Sequence, residues 1–156
     1  MAYKKLKPHK IDEATREIEL RQLWKVEYCD NNKPVFTHDG IEVSFYEDMF
    51  DHCFFESAEW KEKDKSILSL NRLEKMLWIK DTLSDISALM KQGWDRNKKR
   101  YVNNRRVNFV KDGYIVVISI NKSLTKARFI TAFEFQNDEK KQEVLNSPDW
   151  IREKKA

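Results

Sequence analysis

The stretch Phe129-Ile130-Thr131-Ala132-Phe133 joins aromatic and β-branched residues without a Gly or Pro, the composition of a β-strand. It closes a series of similar runs: Tyr101–Val102, Arg105–Val110, Tyr114–Asn121 and Ala127–Phe135. Lys111-Asp112-Gly113 between two of these runs is a hairpin turn, and Asn121–Lys126 makes the next connection. The expected product is a meander of four antiparallel strands. Strict alternation along the last strand would put Thr131 on one face with Phe129, Phe133 and Phe135.

Upstream of Arg100 the apolar spacing is helical. Residues 46–57 read as a helix with apolar positions Met49, Phe50, Cys53 and Phe54. A charged loop follows from Glu59 to Lys65. Residues 70–83 read as a second helix, capped by Ser69, and Ser84-Asp85 can cap a short third one through Met90. Residues 11–28 are ambiguous. Ile11, Ala14 and Ile18 suit a helix, whereas Leu20, Gln22, Trp24, Val26 and Tyr28 alternate as in a strand, so a helix turning into a strand is expected. Asp30–Pro34 is a turn, and Val35–Phe36 and Ile41–Phe45 flank a hairpin bend at Asp39-Gly40. Asp138 begins a charged helical tail. Helices first and a meander afterwards is the α+β class, with N-terminal helices packed on a C-terminal four-stranded antiparallel sheet.

The chain of 156 residues supports one domain with one core. Hydrophobic residues at 40% and charged residues at 36% exclude a disordered tail. No run approaches the roughly 20 apolar residues of a membrane helix, and Met1–Lys10 lacks the apolar centre of a secretory signal. The expected location is the cytoplasm, either where the chain is made or where it is delivered, in a target cell. Cys29 and Cys53, and the three histidines, match no metal spacing. No metal or cofactor is therefore expected.

The net charge of +4 conceals a concentrated basic segment. Between Lys91 and Lys111 lie Lys91, Arg96, Lys98, Lys99, Arg100, Arg105, Arg106 and Lys111, with Asp95 the single acid. Such a run reads as a solvated loop or as a polyanion surface. Interleaved Trp94, Tyr101 and four asparagines favour the second, because RNA binding needs cations for phosphates and rings for unpaired bases.

Three side chains stand out on the helices. On the 70–83 helix, 100° per residue places Arg72 between Ile79 and Leu83, and Lys80 between Met76 and Leu73. Both cations then project from the face expected to pack on the sheet. A buried charge must be paired, line a cleft or snorkel to solvent. His52 lies beside the apolar stripe of the 46–57 helix, one turn from both Asp48 and Glu56, a setting for a general acid or base or for a surface ion pair.

Ile41–Phe45, Phe50–Glu56, Ser69–Leu73, Trp78–Lys80, Gly113–Ser119 and Arg128–Phe133 follow one another in an order that resembles the phage-associated branch of the barnase–EndoU–colicin–RelE-like nucleases. The resemblance covers about residues 35–135, a nuclease core with N- and C-terminal extensions. It implies helices ahead of a four-stranded antiparallel sheet and RNA cleavage without metal on the sheet's surface. It also implies that His52, Arg72, Lys80 and Thr131 are the catalytic set. Phe133 stands where the family usually ends its last strand on tyrosine, so no phenolic role is implied there.

The implied chemistry is in-line attack of a ribose 2′-hydroxyl on its phosphate, which needs an acid, a base and cations on the phosphoryl oxygens. His52 would serve as acid or base, Arg72 and Lys80 as phosphate stabilisers, and Thr131 as a positioning group. Lys98, Lys99, Arg100, Arg105 and Arg106 would hold the flanking RNA. The settings of the family imply a toxin or mobile-element effector, with a cognate antitoxin or immunity protein as partner. Two rival readings are an RNA-binding module without catalysis and a protein-interaction domain of phage or host-defence origin.

Overall fold

The computed structural model describes residues 13–30, 32–56, 67–68, 72, 75–95, 99–121, 123, 125–135 and 137–150. For 13–16, 52, 55–56, 67–68, 94–95 and 100–105 it describes the backbone alone. The first element is helix α1, Glu13–Tyr28. The expected change to a strand does not occur. Leu20, Trp24 and Tyr28 are four residues apart, so the positions that mimic alternation also form one helical face, and all three are buried. Ile18 and Val26 point away and are exposed.

Strands β1 (Val35–Phe36) and β2 (Glu42–Ser44) form the expected hairpin, with Gly40 at φ 87° in the bend. Helix α2, Met49–Phe54, is shorter than expected because Phe55–Glu56 leaves it as strand β3 and pairs with β4, Ile67–Leu68. Arg72 is helical, but Lys75–Leu77 is a turn, and helix α3 runs only from Trp78 to Ser84. The expected Ser69 cap lies outside the described residues.

The sheet differs from the expected four antiparallel strands. It has six strands in the order β1-β2-β8-β7-β6-β5 and is mixed. Strands β6 (Arg100–Lys111), β7 (Tyr114–Ile120) and β8 (Lys126–Glu134) are the antiparallel meander. The expected short third helix through Met90 is absent: residues 86–88 form a turn and bend, and strand β5, Leu89–Asp95, begins directly after them. Strand β2 docks beside β8 in parallel, with Val43 opposite Ala127, a pairing of residues over eighty positions apart that no local pattern encodes. The class is therefore α+β, with four helices among the described residues.

One face of this sheet carries Val107, Phe109, Val116, Ile118, Ile120, Ala127, Phe129 and Ala132, all buried, against α1, α2 and α3. Trp24 sits at the centre, with its ring against Tyr28, Phe45, Phe54 and Phe129. Tyr28 donates to the Met76 carbonyl at 2.5 Å and accepts from the Lys80 N–H at 3.2 Å, tying α1 to α3. Helix α4, Asp138–Leu145, is capped by the Asn137 side chain, which accepts from the Lys140 N–H. The chain then reaches β5, where Gln92 N–H donates to Pro148 and Trp150 N–H to Met90. These bonds close an edge that would otherwise invite another strand. No helix among the described residues is long and apolar enough to cross a membrane.

Candidate nucleic-acid interface

Strand β8 does not alternate throughout. Ile118 pairs with Phe129, but Val117 pairs with Thr131, so Ile130 is an extra residue that forms a bulge. Before it Ala127 and Phe129 face the helices; after it Ala132 does. The bulge thus reverses the parity expected from the sequence. Thr131 does not share a face with Phe129. It turns with Phe133 to the sheet's outer face, opposite α1–α3, and is half-buried.

The register places a cationic row on that outer face. Arg106 of β6 is opposite Ser119 of β7, and Ser119 is opposite Arg128 of β8. Arg128 in turn pairs with Ser44 of β2. Arg106 and Arg128 are exposed. Neither has an ion-pair partner among the described residues. Strands lie about 4.8 Å apart, so the two arginines begin about 10 Å from each other. The next row is Asn108, Val117 and Thr131, which sets a hydroxyl and an amide beside the cations. Beyond it, Val110 and Ile115 are buried, which limits the accessible part of the face to the first two rows.

Arg106 owes its position to Gly93. The β5–β6 register breaks between Gln92, opposite Val107, and Gly93, opposite Val102. A Cβ on Gly93 would fall 2.3 Å from the Arg106 Cβ, closer than two carbons can approach. The basic run expected as loop or surface is therefore largely this strand pair. Two of its cations are spent internally: Lys91 bonds Asp149 at 2.6 Å, and Lys111 bonds Ser87 at 2.5 Å and approaches Asp85. Lys99 is exposed at the turn, with φ 50°. Lys98 and the side chains of Arg100 and Arg105 lie outside the described residues.

The four residues of the expected catalytic set do not form one cluster. Arg72 donates from Nη1 to the Cys53 carbonyl at 2.9 Å, and its guanidinium lies 5.8 Å from the centre of the Phe133 ring. It is thus anchored to α2, next to His52 in the chain, and beside the β8 residue two positions beyond Thr131. Cys53 itself reaches the Ala132 carbonyl. The α2 backbone and the Arg72 head group thus lie along the end of β8, at Ala132 and Phe133, whereas Thr131 turns to the outer face; the His52 side chain lies outside the described residues. Lys80 departs. Its ammonium bonds Glu27 of α1 at 2.5 Å and lies 5.9 Å from the Tyr28 ring, on the helix side of the sheet and away from Thr131. Expected to face the sheet, it instead bridges two helices, because α3 starts too late to continue the face projected from residue 70. Burial raises the neighbouring Asp81 carboxyl, with Lys80 acting in the opposite sense.

Arg128 and Ser119 were not singled out by the sequence. Alternation alone sends both outward, but only the register aligns them with Arg106. No protein-family model matches the chain, and neither the curated proteins nor the solved structures contain a significant match to it.

Proposed function

We propose that this protein is a metal-independent endoribonuclease that lays RNA across the outer face of its sheet and cleaves it by 2′-hydroxyl attack. The observation that carries the reading is the row Arg106–Ser119–Arg128, whose two arginines are exposed, one row from Thr131. Two guanidinium groups offer forked donors suited to phosphate oxygens. The Thr131 hydroxyl can orient the 2′-hydroxyl or a phosphate oxygen. Arg72, whose guanidinium lies near the Phe133 ring two positions beyond Thr131, is assigned by the family resemblance to offset charge on the phosphoryl group. His52 is assigned acid or base by the family resemblance and by its place on α2.

In the proposed step the ribose 2′-oxygen bonds to phosphorus as its proton passes to a base. The bond from phosphorus to the 5′-oxygen breaks, and that oxygen takes a proton from an acid. The products are a 2′,3′-cyclic phosphate and a 5′-hydroxyl. DNA has no 2′-hydroxyl and is not a substrate. A toxin or mobile-element effector, held in check by an antitoxin or immunity protein, is the setting the resemblance suggests.

A second reading is an RNA-binding module without catalysis. It is favoured by the commitment of Lys80 to Glu27 and of one Arg72 donor to the Cys53 carbonyl, which leaves two of the four expected groups with structural roles. Incubating a structured RNA with the protein and chelator, beside His52→Ala and Arg128→Ala, separates the two. Cleavage to 2′,3′-cyclic ends, abolished in His52→Ala and weakened in Arg128→Ala, supports the nuclease. Retention without cleavage supports the binding module.

A further inference from the structure

A groove opens where β2 leaves β8. Strand β2 follows β8 only as far as Ser44 opposite Arg128, and α2 meets β8 again at Ala132 through Cys53. In the gap lies a cavity of about 400 Å³ lined by Tyr46, Asp48, Met49, Arg128, Phe129 and Ile130. Its volume falls within the range of small-ligand pockets, roughly 300–1,000 Å³. The bulge at Ile130 lies at the same place and bends β8 locally.

We infer that this groove takes one unpaired nucleobase of a single-stranded RNA, stacked on Tyr46, with the attached phosphate on Arg128. The inference rests on the proposed RNA-binding face and names a subsite of it. Tyr46 is 52% exposed, yet its backbone is pinned. Its carbonyl accepts from the indole N–H of buried Trp24 at 3.0 Å and from the Met49 N–H at 3.1 Å. The Tyr46 backbone is thus fixed, and its ring has no aromatic partner among the described residues. An exposed ring on an anchored backbone suits base stacking, because only the side chain remains to be ordered on binding.

The chemistry of the walls selects a base over other occupants. Met49 and Ile130, both half-buried, supply apolar contact, which suits a planar ring and not a bare phosphate. Asp48 on the rim repels phosphate but accepts hydrogen bonds from amino and ring N–H groups on a base edge. Arg128 belongs both to this groove and to the row with Arg106, so a strand can run from the row into the groove without a break. A duplex has no free base to insert and would use the arginine row alone.

The test measures anisotropy of a labelled, unstructured 2′-O-methyl RNA, which binds but cannot undergo 2′-hydroxyl attack, and of its duplex. The proteins are the wild type, Tyr46→Ala, Tyr46→Trp and Arg128→Glu, each checked for its melting temperature. The expected result is that Tyr46→Ala weakens single-strand binding about tenfold, the effect of one lost stack, and leaves duplex binding unchanged. Tyr46→Trp should retain binding. If Tyr46→Ala binds the single strand as tightly as the wild type while Arg128→Glu binds it weakly, the groove inference falls and the RNA-binding face stands. If the wild type binds neither RNA, both fall.

Discussion

Arg106 and Arg128 stand on strands separated by one other, both opposite Ser119, and so point in the same direction from the sheet's outer face. The arrangement depends on two irregularities. A break in the β5–β6 register brings Arg106 against Gly93, and the bulge in β8 turns Thr131 to the side on which Arg128 already lies. A cation pair with no compensating acid among the described residues is unfavourable for folding alone through its mutual repulsion. It becomes useful once a polyanion lies on it.

Gly93→Ala tests the first irregularity. The added methyl overlaps the Arg106 Cβ, so β5 or β6 must shift. The expected cost is about 1–3 kcal/mol in urea unfolding, the range for overpacking a close contact, with RNA affinity falling as Arg106 is displaced. Wild-type stability and affinity in the variant would show that the close approach is unimportant.

Lys75 and Glu134 form an ion pair between the turn before α3 and the end of β8. Lys75 is only 3% exposed whereas Glu134 is 41% exposed, so the two partners are not equivalent. Glu134→Gln removes the carboxylate that offsets a buried ammonium and should cost about 2–3 kcal/mol. Lys75→Met removes the buried charge itself and should cost less. Chemical denaturation of both variants decides the order.

Lys80→Met should behave as a structural substitution. Loss of its contact with Glu27 is expected to lower stability by about 1 kcal/mol, as for other partly exposed pairs. RNA affinity should be unaltered. A large loss of affinity with wild-type stability would instead return Lys80 to the RNA site.

Burial raises the Tyr28 and Tyr114 phenols well above their usual value of 10.0. The folded state holds these protons more tightly than the unfolded state. The resulting stabilisation is complete below about pH 10 and is lost as pH rises beyond it towards the folded values. Absorbance titration at tyrosinate wavelengths should show two of the five tyrosines ionising only as the chain unfolds. The Cys29 thiol, pushed up to about 11 by burial and then by Glu47 and Asp48, should resist alkylation at pH 8.

The meander was legible because β6, β7 and β8 are joined by short turns and carry a dense β composition. The α1 face was obscured because a spacing of four satisfies both periods, as Leu20, Trp24 and Tyr28 do. The parallel partner β2 was hidden by distance along the chain. The site was harder to read than the fold. A single inserted residue at Ile130 reverses the direction of Thr131, and nothing in the composition around it marks a bulge. Lys80 was recognised as a cation in an unexpected place, but its partner Glu27 belongs to a helix whose last turns looked like a strand. Arg128 is not legible in the sequence, because one arginine in a strand carries no signal until its neighbours are known.

The most direct test of the RNA-binding face is the salt dependence of affinity for a single-stranded 2′-O-methyl RNA, in the wild type and in Arg106→Gln, Arg128→Gln and the double variant. Each phosphate contact contributes about 0.7 to the slope of log K against log salt concentration for a single strand. The slope should therefore fall by about 0.7 in each single variant and about 1.4 in the double, with unchanged melting temperatures. An unchanged slope and affinity in the double variant would contradict RNA binding across this face.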